Sequence, residues 1–112
     1  MKNYSPEGYL LNTAANRAAM AGVSSLRDAA RQETVLEARA GLCDREHNLH
    51  VDLGVMKGVI PRDEGALGIA EGTVRDIALI SRVGKPVCFT VSAIRKNEQD
   101  KYYAVLSRRR AQ

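Results

Sequence analysis

The sequence predicts a mainly β fold, a five-stranded barrel with an N-terminal helical extension. Helical spacing of small apolar residues is confined to roughly the first thirty positions, and from Glu33 onward the period changes to two-residue alternation. Five short alternating runs follow, with one long connection after the third. The length of 112 residues allows one domain. We therefore divide the chain into a helical extension, residues 1–32, and a barrel, residues 33–112.

The helical extension is predicted from capping signals. Ser5-Pro6-Glu7 offers an N-cap, a proline at the first helical position and an acid in the first turn. An alanine-rich stretch from Asn12 to Ala21 follows, and Gly22 is placed to end it. Ser25-Leu26-Arg27-Asp28 matches a capping box, which predicts a second short helix up to about Arg31. Both helices are weakly apolar, so we expect them to pack on the barrel.

The strands are predicted from alternation of apolar and polar residues. The expected inward residues of the first strand are Leu36, Ala38, Ala40 and Leu42. The other four runs are centred on Val51, on Val59, on Phe89 and on the segment Tyr102 to Leu106. The connection from Arg62 to Lys85 predicts a short helical or irregular piece around Ile77 to Ile80. Five short strands with a long connection between the third and fourth are typical of an OB-fold barrel.

The charge distribution narrows the function classes. The formal net charge is +4, with a balance of +2 over residues 1–32, −4 over 33–77 and +6 over 78–112. Twelve arginines stand against five lysines, and arginine suits phosphate binding and stacking on bases. This pattern favours either a nucleic-acid partner or a solvated surface that keeps the protein soluble.

Membrane and secreted classes are not expected. No apolar run approaches the roughly 20 residues that span a bilayer, and the N-terminus lacks the apolar core of a signal peptide. Cys43 and Cys88 form no pattern of a disulfide framework. We therefore predict a cytoplasmic protein without a membrane partner, and we expect a monomer.

Enzymatic and metal-binding classes lack a supporting motif. Cys43, His47 and His50 include three possible metal ligands, but a structural zinc needs a fourth ligand and the sequence supplies none nearby. A nucleophilic Cys-His pair needs an orienting group, and nothing marks one. The glycines between positions 65 and 72 lack the spacing of a phosphate-binding loop. We predict no enzyme, no cofactor and no metal.

Four motifs in the barrel part occur in an informative order. They are Asn48-Leu49-His50-Val51-Asp52-Leu53-Gly54, Gly58-Val59-Ile60-Pro61-Arg62-Asp63-Glu64, Val83-Gly84-Lys85-Pro86-Val87 and Leu106-Ser107-Arg108-Arg109. With these motifs, the stretch from Val35 to Arg109 resembles the S1-type RNA-binding domain, the repeat of bacterial ribosomal protein S1 and of many RNA enzymes. The resemblance covers about two-thirds of the chain and implies an OB-fold.

The resemblance also implies a site for single-stranded RNA on the second, third and fifth strands. The family's stacking phenylalanines fall on His47 and His50, whose imidazoles can stack on bases or donate to phosphate. The chain departs from the family at Arg95, where Asp is common, and at Tyr103, where Arg is common. The expected RNA-binding residues are His47, His50, Lys57, Arg62, Arg95, Tyr103, Arg108 and Arg109.

Two functions from different classes stay open. The first is binding of single-stranded RNA by basic residues and stacking, linked to translation or RNA metabolism, with little base readout. The second is a degenerate S1-type module that docks on the ribosome, an adjacent S1-type repeat or another protein domain. The missing phenylalanine pair and the acidic middle favour the second function. Tandem repeats are common in the family, and the C-terminal signature favours a leading repeat of a longer protein.

Overall fold

Five strands close into a barrel with mixed pairing. A computed structural model describes residues 9–64 and 82–111. The strands are β1 (Leu36–Cys43), β2 (Leu49–Asp52), β3 (Lys57–Ile60), β4 (Pro86–Lys96) and β5 (Tyr102–Ser107). Their order around the barrel is β1-β2-β3-β5-β4. The β3–β5 pair is parallel and the other pairs are antiparallel. The predicted mainly β barrel is confirmed, and its strand order is consistent with an OB-fold.

Aliphatic side chains around one phenylalanine form the core. Phe89 of β4 is fully buried and belongs to one apolar cluster with inward residues of every strand. Gly58 of β3 is required by this packing, because a Cβ there would lie 2.7 Å from Cδ1 of the buried Leu106. The large buried side chains that share the core with these residues are Leu26, Leu36, Leu49, Val51, Ile60 and Val87.

Two helices precede β1 and pack on the barrel. They are α1 (Ala14–Ala19) and α2 (Val23–Arg31). Helix α2 packs against β4 and places Leu26 and Ala29 in the core, with exposed fractions of 0% and 5%. Among the described residues, no helix combines the length and the apolarity needed to cross a membrane.

The helix boundaries differ from those predicted. Gly22 is the N-cap of α2 instead of the end of the first helix, whose C-cap is Met20. Ser25 lies inside α2, where its Oγ accepts a hydrogen bond from the Gly22 N–H at 3.1 Å. The expected N-cap at Ser25 was wrong because the helix is capped three residues earlier, at Gly22. Glycine has no side chain for capping, and the Ser25 hydroxyl in the first turn instead accepts the hydrogen bond from the N-cap N–H. The expected cap at Ser5 and the piece around Ile77 lie outside the described residues.

A β-bulge in β1 turns one leucine outward. Ala40 pairs with Val51, but the next pair is Leu42 with His50, so Gly41 is an extra residue. Leu42 is consequently 55% exposed. The prediction that Leu42 faces the core was wrong because the extra residue breaks the alternation.

Candidate nucleic-acid interface

Strand register brings charged and aromatic side chains into one row across the barrel. Each residue of this row is the Cα partner of the next, so all four side chains point to the same side of the sheet. Neighbouring strands lie about 4.8 Å apart, which makes the row roughly 14 Å long. In order across β2, β3, β5 and β4, the row consists of Asp52, Lys57, Tyr103 and Arg95.

A second, largely apolar row runs beside the first. Its members lie two residues from the first row on each shared strand, so both rows are on one face. The β1 bulge places one end of this row, and a register shift between Val91 and Ala93 places the other. The row consists of Leu42, His50, Val59, Val105 and Ala93. We call the two rows together the outer face.

Tyr103 occupies the middle of the first row, with a cationic residue on each side. Lys57 faces it from β3 and Arg95 from β4. The Lys57 Nζ lies 3.0 Å from the Asp52 Oδ2, and both side chains are largely exposed. Arg95 is exposed and forms no ion pair within residues 9–64 and 82–111. The two cations therefore differ in how available they are to a ligand.

Tyr102 has a different environment from Tyr103. The Arg27 Cζ lies 5.6 Å from the centroid of its ring, and the Lys96 Nζ lies 5.1 Å from the same centroid. These are cation–π contacts that join α2 to the β4–β5 hairpin. Tyr102 is 37% exposed and Tyr103 is half-buried, so neither ring belongs to the fully buried core. Tyr102 lies at the end of the β4–β5 pairing, where its Cα partner is Lys96.

Asp44 organises the β1–β2 loop beside the outer face. Its Oδ1 accepts hydrogen bonds from the N–H groups of Glu46 at 3.0 Å and Asn48 at 2.9 Å. Its Oδ2 accepts one from the His50 Nε2 at 2.8 Å. The bond from His50, followed by that from the Asn48 backbone, lowers the pKa of Asp44 to about 2. The loop is thus tied to the second row through an ionised carboxylate.

The two histidines occupy unlike positions. His50 lies in the second row with its side chain 43% exposed, so one predicted aromatic position does belong to the outer face. His47 lies in the β1–β2 loop, and its φ of 63° is in the left-handed region. A bulky aromatic side chain is strained in that conformation, whereas His adopts it more readily. The loop therefore accommodates His47 better than the phenylalanine expected from the family pattern.

Three predicted arginines lie around the short 3-10 helix Arg62–Glu64. The Arg62 N–H donates to the Asn48 Oδ1 at 2.9 Å. The N–H groups of Arg108 and Arg109 both donate to the Glu64 carbonyl, at 2.8 and 2.9 Å. The Arg108 residue is only 7% exposed, and the Arg109 Nη1 lies 3.7 Å from the Glu64 Oε2. The structure brings together His50, Lys57, Tyr103 and Arg95, whereas these arginines belong to neither row of the outer face.

Sequence reasoning missed the apolar part of the outer face. Val59 and Val105 are half-buried there, and Leu42 is more exposed than either. Gly41 was the one available signal, because a glycine inside an alternating strand often marks a bulge.

The chemistry of the outer face consists of stacking and charge. Within residues 9–64 and 82–111, no three His, Cys, Asp or Glu side chains are grouped to hold a metal ion. A comparison of the sequence with known protein families finds no match, and no curated protein shows significant similarity to the chain.

Proposed function

We propose that the protein binds single-stranded RNA on the outer face of the barrel. The observation that carries the proposal is the register of Tyr103, which stands between Lys57 and Arg95 on neighbouring strands. An aromatic ring beside cations is the arrangement that binds a base by stacking while its phosphates are attracted alongside. The resemblance of the motifs in β2 and β3 to the S1-type domain supports the same partner.

The mechanism combines two sequence-independent forces. The partly buried Tyr103 offers the main stacking surface, and His50, whose side chain is 43% exposed, offers a second ring in the adjacent row. The apolar side chains of Val59 and Val105 lie between these rings on β3 and β5. Base edges meet few fixed donors or acceptors there, so we expect weak sequence preference and affinity that falls with salt.

The decisive experiment is an NMR titration of the ¹⁵N-labelled protein with a short oligouridylate at two salt concentrations. We expect shifts at Lys57, Tyr103 and Arg95 that saturate at low salt and weaken at high salt. The amide signals of α1 serve as the internal control, and their chemical shifts should not change. Shifts confined to residues 108–110, or none at low salt, would contradict the proposal.

A second candidate function is protein docking, and one observation favours it. Leu42 is 55% exposed and extends the apolar row of Val59 and Val105. Leu42→Lys separates the two functions, because it adds a charge that phosphate tolerates and an apolar partner does not. Docking on the ribosome would appear as co-sedimentation that Leu42→Lys abolishes, together with an RNA titration that leaves the outer face unshifted.

A further inference from the structure

We infer that the RNA backbone crosses the outer face on its β4 side, at Arg95, and that Asp52 withholds Lys57 from a second phosphate contact. The inference rests on the proposed function and adds the path of the strand to it. It follows from the ion pairs of the basic side chains, which differ sharply between the two sides of Tyr103.

The C-terminal arginines form the densest cluster of positive charge in the sequence, and each of them has a partner or is buried. Arg109 pairs with Glu64 at 3.7 Å, and Arg110 lies 4.0 Å from Glu33. Arg108 is 7% exposed. Burial removes Arg108 from solvent and Glu64 holds the partly exposed Arg109, whereas Arg110 is 64% exposed and has a long pair with Glu33. The basic run at the end of the sequence therefore offers less accessible positive charge than its composition suggests.

Lys57 and Arg95, the two cations beside Tyr103, differ in whether a carboxylate lies beside them. Lys57 is held by Asp52, and the hydrogen bond that Asp52 accepts from the Gly54 N–H at 2.9 Å keeps this carboxylate in place. Arg95 is exposed and stands directly opposite Tyr103. Within the described ranges it makes no ion pair. A guanidinium in this position can form a forked contact with phosphate without first breaking another bond.

The β2 side of the outer face carries a net negative charge apart from Lys57. Asp52 lies at that end of the first row, and the β1–β2 loop carries Asp44 and Glu46 against one cation, Arg45. Phosphates are repelled from this side and attracted to Arg95, which orients the strand with its bases toward Tyr103 and His50. The Asp52 carboxylate lies 3.0 Å from the Lys57 Nζ and is fixed there by the Gly54 N–H, so it offsets the Lys57 charge that an approaching phosphate meets. Neutralising Asp52 therefore makes Lys57 available.

The test measures how the affinity for labelled oligouridylate of about ten nucleotides varies with potassium chloride concentration. Each phosphate contact contributes about 0.7 to the slope of log affinity against log salt. We expect Arg95→Ala to reduce the magnitude of the slope by about 0.7 and Asp52→Asn to increase it by about 0.7. The double variant Asp52→Asn/Lys57→Ala should return to the wild-type slope, because it removes the released cation.

Two matched controls exclude a general effect of charge. Arg17→Ala removes an exposed arginine from α1 that, like Arg95, makes no ion pair within the described ranges, and it should leave the slope unchanged. Glu46→Gln removes a loop carboxylate without releasing Lys57, so it should raise the affinity slightly but leave the slope, which counts phosphate contacts, at the wild-type value. Equal slopes for wild type and Arg95→Ala, or equal increases for Asp52→Asn and Glu46→Gln, would overturn the inferred path while RNA binding stands. Absence of wild-type binding at the lowest salt would overturn both the path and the proposed function.

Discussion

The side-chain amide of Asn16 pairs with both backbone groups of Glu37, as a neighbouring β-strand would. The Glu37 N–H donates to the Asn16 Oδ1 at 2.8 Å, and the Asn16 Nδ2 donates to the Glu37 carbonyl at 2.9 Å. Both residues are 3% exposed. Glu37 also accepts a hydrogen bond from the Leu10 N–H through its Oε1 at 3.3 Å. The extension is therefore fixed to β1 by buried polar contacts as well as by apolar packing.

Asn16→Ala should destabilise the protein substantially. The substitution leaves two buried backbone groups of Glu37 without their partners, at about 1–3 kcal/mol for each group. Asn12→Ala, at an exposed position just before α1, is the control and should change stability little. Urea unfolding of both variants measures the difference. Equal midpoints would show that the Asn16 pairing contributes nothing to stability.

Leu26→Ala should lower the free energy of unfolding by about 2–5 kcal/mol, because it opens a cavity at a fully buried position. Leu42→Ala is the matched control, since the same atoms are removed from a side chain that is 55% exposed. Its effect should stay within about 0.5 kcal/mol. Thermal unfolding of the pair distinguishes a helix that completes the core from one that merely lies against it. Similar losses in both variants would contradict this role of α2.

Asp44→Asn should lower the free energy of unfolding at neutral pH and reduce the loss of stability on acidification. The folded-state pKa of Asp44 is lowered from 3.8 to about 2, so its contribution is present above pH 4 and is lost as pH falls toward 2. The stability gap between wild type and Asp44→Asn should therefore be largest above about pH 5 and narrow below about pH 3. Urea midpoints across this range measure the gap. Glu46→Gln is the control in the same loop, and a gap that is constant with pH would contradict the assignment.

Tyr103→Ala should weaken RNA binding about 5- to 150-fold, because one stacked base contributes about 1–3 kcal/mol. Tyr103→Phe keeps the ring and should bind within about 3-fold of wild type. Tyr102→Ala removes the neighbouring ring, whose π-system already contacts Arg27 and Lys96. This substitution should have little effect on affinity. Fluorescence anisotropy with labelled oligouridylate measures all three variants. A larger loss for Tyr102→Ala than for Tyr103→Ala would place the stacking surface elsewhere.

Strand positions were predictable from sequence because alternation is a local property. Val87, Phe89 and Val91 alternate in the sequence and are buried in β4 as expected. The partners of the strands are not local, and nothing in the run around Lys57 indicates that Tyr103 will lie beside it. The same limit applies to charge, because the approach of Glu64 to Arg109 depends on the closed barrel. The charge distribution therefore pointed to the C-terminal arginines, whereas Arg95 and Tyr103 entered the predicted site through the family resemblance.

The parallel β3–β5 pairing has a consequence for the order of folding. Lys57 and Tyr103 lie roughly 45 positions apart in the sequence and become neighbours only when this pairing forms. Contacts of such separation carry a large loop-closure entropy, which slows their formation relative to local hairpins. A nascent chain that has completed β2 and β3 already carries His50 and Lys57, but it has no ring at the centre of the row. Any ligand of the outer face thus meets a finished surface only after the last strand has been synthesised and has sealed the barrel.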